Sequence, residues 1–99
     1  MLPVFSPDDI LTMYQLVKSG QTSPDFFMGL VTNSGTTYLM QISNLTKFLG
    51  YFDNYANNLL FNNTYNIFVK SSNSVQDNEN QFANFAANLV LLYQKEIPI

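Results

Sequence analysis

Ser6 and Asp9 are the two side chains whose types and spacing come nearest to a reactive site in this chain. Serine hydroxyls serve catalysis as nucleophiles, and aspartate carboxylates serve it as metal ligands. The same Ser-x-x-Asp spacing also suits a helix start, where each side chain accepts a hydrogen bond from a backbone N–H that the helix leaves unpaired. Pro7 fits the first helical position, and Asp8 adds negative charge at the positive end of the helix dipole. Two interpretations are therefore open, a helix cap and part of a catalytic site.

The partners that a catalytic serine needs are missing from the sequence. The chain has no His and no Cys, and it contains no Ser-x-x-Lys. His is the commonest general base and the commonest zinc ligand, so both roles lose their usual residue. The seven acidic residues form no pair that the sequence places across a cleft, and Asp77-x-Glu79 falls short of a calcium loop. A metal-free hydrolase has no candidate base here.

The segment Ser6-Pro7-Asp8-Asp9, followed by a helix and then by strands, resembles the second half of the JAMM (MPN-type) metalloprotease motif. That motif reads His-x-His-Pro, a short gap, and Ser-x-x-Asp. In the family the two His and the Asp bind zinc, the Ser helps to hold the reacting group, and an upstream Glu is the general acid/base. The resemblance implies that Asp9 would be a metal ligand and Ser6 the catalytic serine.

The resemblance continues beyond the motif. The Ser-Gly-Thr-Thr-Tyr-Leu-Met-Gln-Ile segment and the Asn-Glu-Asn-Gln-Phe-Ala-Asn-Phe helix are similar to segments of bacterial JAMM-like domains. The two His and the upstream Glu have no counterpart, so a zinc cofactor is expected only if another segment supplies the missing ligands. On this interpretation the chain is a non-catalytic remnant or fragment of a JAMM-like metallopeptidase, and an open sheet edge would favour oligomerisation.

The charge pattern argues against two classes of partner. The net charge is −3, the charged fraction is 11%, and the only cations are four scattered lysines: Lys18, Lys47, Lys70 and Lys95. Nucleic acids and anionic membranes are recognised by clustered cations, so neither is an expected partner. The longest apolar run is five residues, and the first residues lack the features of a signal peptide. The sequence leaves localisation open.

A second hypothesis makes the chain a small protein-binding or regulatory module, similar in kind to an immunity or adaptor protein. Its basis is the acidic composition together with nine Phe and six Tyr, which could exceed what one small core can bury. Surplus aromatic side chains on a surface would mark an interface. The expected partner is another protein or a second copy of the chain.

Hydrophobic periodicity predicts one α+β domain over residues 1–99, with three helices packed on a small antiparallel sheet. The best-marked helix begins with Ser6 and ends at Gly20, and Asn78 with Gln81 could open the last one. The predicted elements are helices over 6–19, 44–61 and 79–95, a β-hairpin over 26–43, a possible third strand over 65–69, and an exposed loop over 70–78.

Overall fold

The computed structural model describes residues 4–32 and 35–96, and over these it is an α+β fold of four helices and three strands. The elements in chain order are α1 (Pro7–Lys18), β1 (Met28–Val31), β2 (Thr37–Ile42), α2 (Leu45–Phe52), α3 (Tyr55–Phe68), α4 (Val75–Asn88) and β3 (Leu91–Glu96). The α+β class and the antiparallel sheet agree with the prediction, whereas the number of helices exceeds it by one.

Helix α1 follows its local signals closely. Ser6 is the N-cap and Pro7 occupies the first turn. At the other end, Gly20 has a φ of +75°. Its N–H donates to the Val17 carbonyl at 3.1 Å, and the Gln21 N–H donates to the Leu16 carbonyl at 3.0 Å. This pair of bonds is the Schellman motif, in which glycine takes the left-handed position without a Cβ penalty.

The predicted hairpin is confirmed, with β1 antiparallel to β2 and Met28 opposite Met40. Strand β2 alternates between buried and half-buried positions, which leaves Tyr38, Met40 and Ile42 on the inner face. Residues 33–34 of the predicted hairpin lie outside the described residues.

The predicted third strand over 65–69 is wrong, because Tyr65 to Phe68 form the end of α3. The predicted helix over 44–61 is two helices. The carboxamide of Asn54 accepts a 3.0 Å hydrogen bond from the Ala56 N–H and thereby starts α3 afresh. The apolar spacing runs unbroken through this junction, which is why periodicity alone predicted one helix.

The predicted helix over 79–95 is wrong at both ends. Helix α4 begins earlier, at Val75, because Ser74 caps it and Asn78 does not. It ends at Asn88, and Leu91–Glu96 form the third strand, antiparallel to β2. Val90 makes the sharp turn between helix and strand with a φ of +53°. The sheet order is β1-β2-β3, so β2 is central.

The helices lie against one face of the sheet, and the molecule is a slab with extents of 33 × 31 × 18 Å. Its smallest dimension fits two layers, since packed layers of secondary structure are about 10 Å apart. One continuous apolar core lies between the layers, and its most deeply buried side chains are Phe5, Ile10, Met13, Tyr38, Met40, Phe48 and Phe82. The opposite face of the sheet is uncovered by any element of the described chain.

Candidate functional site

Ser6 and Asp9, the predicted site residues, contact each other directly. The Ser6 N–H donates to Asp9 Oδ2 at 2.8 Å, and the Asp9 N–H donates to Ser6 Oγ at 3.2 Å. Both halves of a capping box are therefore formed, which satisfies two of the donors that a helix start leaves unpaired. This geometry gives both side chains a structural role at the start of α1.

A buried tyrosine hydroxyl lies next to the cap. Tyr65 on α3 donates a 2.9 Å hydrogen bond to the Phe5 carbonyl, immediately before the cap. Burial, with a contribution from the Asp9 charge, raises the pKa of Tyr65 to about 12. Within residues 4–32 and 35–96, no three or more His, Cys, Asp or Glu side chains lie together as a metal-binding group. Asp9 as a zinc ligand and Ser6 as a catalytic residue stay predictions.

A buried carboxylate lies elsewhere, at Glu79 in the first half of α4. Only 8% of the residue is exposed. Glu79 Oε2 accepts a 2.8 Å hydrogen bond from the Tyr38 hydroxyl and lies 2.8 Å from Lys95 Nζ. Burial by itself would raise the pKa of Glu79, but the bonds from Lys95 and Tyr38 outweigh it and hold that pKa below its ordinary value.

Two stacked tyrosines complete this cluster. The rings of Tyr38 and Tyr93 are 5.9 Å apart and almost parallel. Burial, then the bond to Glu79, raises the pKa of Tyr38 to about 12. Tyr93 Oη is buried and has no hydrogen-bond partner, and burial raises the pKa of Tyr93 as well. Because Glu79, Tyr38 and Lys95 are already bound to one another, the cluster fastens α4 to the sheet.

No local pattern in the sequence predicts this cluster. Lys95 reaches Glu79 because β3 places it directly opposite Tyr38 on β2. The prediction had Lys95 in a helix, where it would point elsewhere. Only the strand register brings the three groups together, and register depends on pairing between distant segments.

A third polar cluster joins α1 to the end of α2. Asp53 accepts hydrogen bonds from the Tyr14 hydroxyl and from Lys18 Nζ, the latter at 3.1 Å. These two bonds lower the pKa of Asp53, and the bond to Asp53 raises the pKa of Tyr14. All three side chains are engaged with each other at the surface, so the cluster is a helix–helix brace.

Most of the aromatic residues are in the core, which narrows the expected interface. In the described part of the chain, the aromatic side chains that are substantially exposed are Phe27, Tyr55 and Phe68. The surplus predicted from composition is therefore small. The exposed apolar surface is mixed, and aliphatic side chains contribute most of it.

Exposed apolar side chains concentrate on α3. Its inner side is held in the core by Phe61 and Tyr65. On its outer side, Leu60 is 61% exposed and Ile67 is 60% exposed. With 3.6 residues per turn, the exposed positions Ala56, Leu60, Asn63 and Ile67 align along one line of the helix, about 100° or more around its axis from the buried side chains. We call these four residues the α3 stripe.

Two depressions border the α3 stripe on the side of α4. One has a volume of about 420 Å³ and is lined by residues that include Ile67, Phe68 and Asp77. The other has a volume of about 210 Å³ and is lined by residues that include Leu60 and Phe85. The stripe is therefore the raised edge of a shallow trough between two helices, which is apolar at its Leu60 end and is lined by Lys70 and Asp77 at its Ile67 end.

The outer face of the sheet is the other exposed apolar region, and polar side chains lie between its exposed Phe27, Val31 and Leu92. Along one row of the sheet Val31 lies beside Thr37 and Glu96. Leu92 lies beside Gln41, so its row is interrupted as well. Apolar and polar side chains are therefore mixed on this face.

No protein-family model, curated protein or solved structure matches the chain. A JAMM-like origin therefore rests on the sequence resemblance. Among the residues that the structure describes, no helix is both long and apolar enough to cross a membrane.

Proposed function

We propose that the chain is a small non-catalytic protein-interaction module that binds a protein partner through the α3 stripe. The single observation that carries this proposal is an exposed apolar line on a helix whose opposite side is already buried. A helix that is apolar on two sides is typical of one that is covered on both. A protein partner would cover the second side.

The composition of α3 indicates the kind of partner. The helix contains five Asn and no charged residue. Amide side chains can form hydrogen bonds with either donors or acceptors of a partner. The apolar line between them favours a partner that contributes apolar side chains and no uncompensated charge. An amphipathic helix laid along a shallow trough meets both needs.

The proposal is tested by site-specific photocrosslinking in the cells that produce the protein. A photoreactive amino acid replaces Leu60 or Ile67, both of which point out from the stripe. We expect each variant to form a discrete covalent adduct with a protein on illumination. The matched control places the same amino acid at Leu59, which lies one position away on the same helix, is 47% exposed, and is outside the stripe.

Adducts that form from Leu60 and Ile67 but not from Leu59 support the proposal. Equal labelling from all three positions, or no adduct from any, would contradict it. A fourth position, Leu92 on the outer face of the sheet, reports whether that face is the binding surface in place of the stripe.

A second candidate concerns origin. The Ser6-x-x-Asp9 cap, followed by a helix and two paired strands, is the order of elements on which the JAMM resemblance rests. We propose that the chain is a diverged or partial JAMM-like domain whose former zinc ligand now serves as a helix cap. Metal analysis of the purified chain tests this. Stoichiometric zinc that is lost on Asp9→Ala would show that the site still functions.

A further inference from the structure

We infer that the partner of the α3 stripe is a second copy of this chain, which packs its own α3 antiparallel against the first across a twofold axis. This inference rests on the proposed function and specifies which protein binds the α3 stripe. Three observations support it, and they concern the charge, the symmetry and the size of the surface.

The first observation concerns charge. The chain carries a net charge of −3, so two copies repel each other at most orientations. Helix α3 contains no ionisable group other than its two Tyr, Tyr55 and Tyr65. Two acidic molecules can therefore pack α3 against α3 without burying a charge that belongs to the helix itself. A charged partner would find no group of opposite sign along this helix to pair with, and burying an unpaired charge is costly.

The second observation concerns symmetry. Leu60 and Ile67 lie at equal distances on either side of the midpoint between Asn63 and Thr64. When two such helices run antiparallel about an axis through that midpoint, Leu60 of each copy meets Ile67 of the other. Asn63 and Thr64 of both copies then meet at the axis, where amide and hydroxyl can bond to each other. The surface is thus complementary to itself, as a twofold interface requires.

The third observation concerns size. A helix of 14 residues is about 21 Å long, and the stripe with its bordering trough is about 20 Å wide. The face therefore covers roughly 400 Å², about half of the 800 Å² that each partner contributes to a stable complex of standard size. We accordingly expect a weak and reversible dimer, with a dissociation constant on the order of 10–100 µM.

Sedimentation velocity of the purified chain across that range tests self-association. We expect the wild type to shift from monomer to dimer with increasing concentration. Leu60→Asn and Ile67→Asn should each weaken the dimer by at least about tenfold, because both put an amide into the apolar contact. Leu59→Asn is the matched control, since it changes the same residue type on the same helix outside the stripe. Circular dichroism and thermal melts at low concentration verify that all three variants fold.

Disulfide trapping tests the antiparallel register, and the absence of Cys from the natural chain makes the result specific. Leu60→Cys and Ile67→Cys proteins are prepared separately, mixed in equal amounts and oxidised mildly. The antiparallel arrangement predicts that the mixed disulfide forms faster than either disulfide between identical variants. A Leu59→Cys protein in place of Leu60→Cys should give no such preference.

A wild type that stays monomeric at several hundred micromolar would overturn the inference, as would a dimer that is weakened equally by Leu59→Asn. Faster formation of disulfides between identical variants would overturn the antiparallel arrangement. The photocrosslinking described above separates the two proposals. Adducts from Leu60 at twice the mass of the chain support self-association. Adducts at another mass leave the binding role of the stripe standing and reject the second copy as its partner.

Discussion

The hydroxyl of Tyr38 on the central strand donates a 2.8 Å hydrogen bond to the Glu79 carboxylate on α4, and both residues are buried. Lys95 on the edge strand binds the same carboxylate oxygen. One buried charge is thus shared by three elements, of which β2 is distant in sequence from α4 and β3. Its partners compensate most of the cost of removing a carboxylate from water. The stability of the sheet–helix contact should therefore depend on the ionisation of Glu79.

Glu79→Gln should lower the free energy of unfolding by about 1–2 kcal/mol at neutral pH, because hydrogen bonds to a charged acceptor are stronger than those to an amide. The folded-state pKa of Glu79 lies below its ordinary value of 4.5. The contribution of the carboxylate is therefore complete above that value and is lost as the pH falls through the folded-state pKa. Urea unfolding of both proteins at neutral and strongly acidic pH measures the change.

The control for this prediction is Glu96→Gln, which removes an exposed carboxylate from the edge strand that carries Lys95. We expect it to change stability by less than about 0.5 kcal/mol. A Glu79→Gln variant that is destabilised equally at neutral and acidic pH would show that packing, and not charge, is what the substitution disturbs.

Alkaline pH should unfold the protein through its buried tyrosines. The pKa of Tyr38 and that of Tyr65 are each raised to about 12, against an ordinary value of 10.0. A raised pKa means that the folded state retains the proton longer. The stability that these groups contribute is therefore full below pH 10 and is lost as the pH rises toward 12. Tyrosinate absorbance and far-ultraviolet circular dichroism, followed together, should change in one cooperative transition for these residues.

Tyr55 supplies the control substitution, because it is 73% exposed. Tyr55→Phe should leave the cooperative step unchanged. Tyr65→Phe should shift that step, and it should also cost about 1–2 kcal/mol near neutral pH because the Phe5 carbonyl loses its donor.

The sequence predicted those elements whose signals act within one turn of chain. Ser6, Pro7 and Gly20 specify the two ends of α1 through contacts with their immediate neighbours, and the structure places all three as expected. The prediction for residues 91–96 failed for a physical reason. Their apolar pattern continues that of α4, and the choice of strand depends on the free edge of β2, which is about fifty residues away in sequence. Val90 makes the turn into that strand, and Val is not one of the residues, such as Gly, Pro or Asn, that mark a turn in a sequence.

The same reasoning explains the outcome at the candidate sites. The Ser6–Asp9 contact was predictable because it is local. The Glu79 cluster was not predictable, because it depends on the β2–β3 register. The α3 stripe was not predictable either, because its residues align only when Tyr55 to Phe68 form a single helix. An Asn-rich composition hides helix starts, since many Asn residues could serve as a cap and, among the residues that the structure describes, only Asn44 and Asn54 do so.

Asn78 should be the least replaceable amide in the chain, because it is 1% exposed and braces the loop between α3 and α4. Its Oδ1 accepts from the Lys70 N–H at 3.2 Å and from Asn73 Nδ2 at 3.0 Å, and its Nδ2 donates to the Lys70 carbonyl at 2.9 Å. Asn78→Asp should cost about 2–4 kcal/mol, since it removes the donor and buries a charge. Thermal unfolding measures the loss.

Asn84→Asp is the control for this substitution, because Asn84 is an exposed residue of the same helix. We expect a change within about 0.5 kcal/mol there. Loss of stability in Asn78→Asp that disappears at acidic pH would identify the buried charge as the cause. Equal loss at all pH values would assign it to the missing donor.

The final prediction separates the two interpretations of Ser6 and Asp9. Each side chain accepts one bond of the same closed turn, so Ser6→Ala and Asp9→Ala should each cost about 1 kcal/mol of unfolding free energy. The double variant should cost less than the sum, because loss of either bond already loosens the turn that holds the other. Asp8→Ala, which affects only the dipole interaction, should cost less than either. Zinc added to the wild type should leave its melting temperature unchanged if the pair serves only as a cap. A zinc-dependent rise that Asp9→Ala abolishes would instead assign the carboxylate to a metal site.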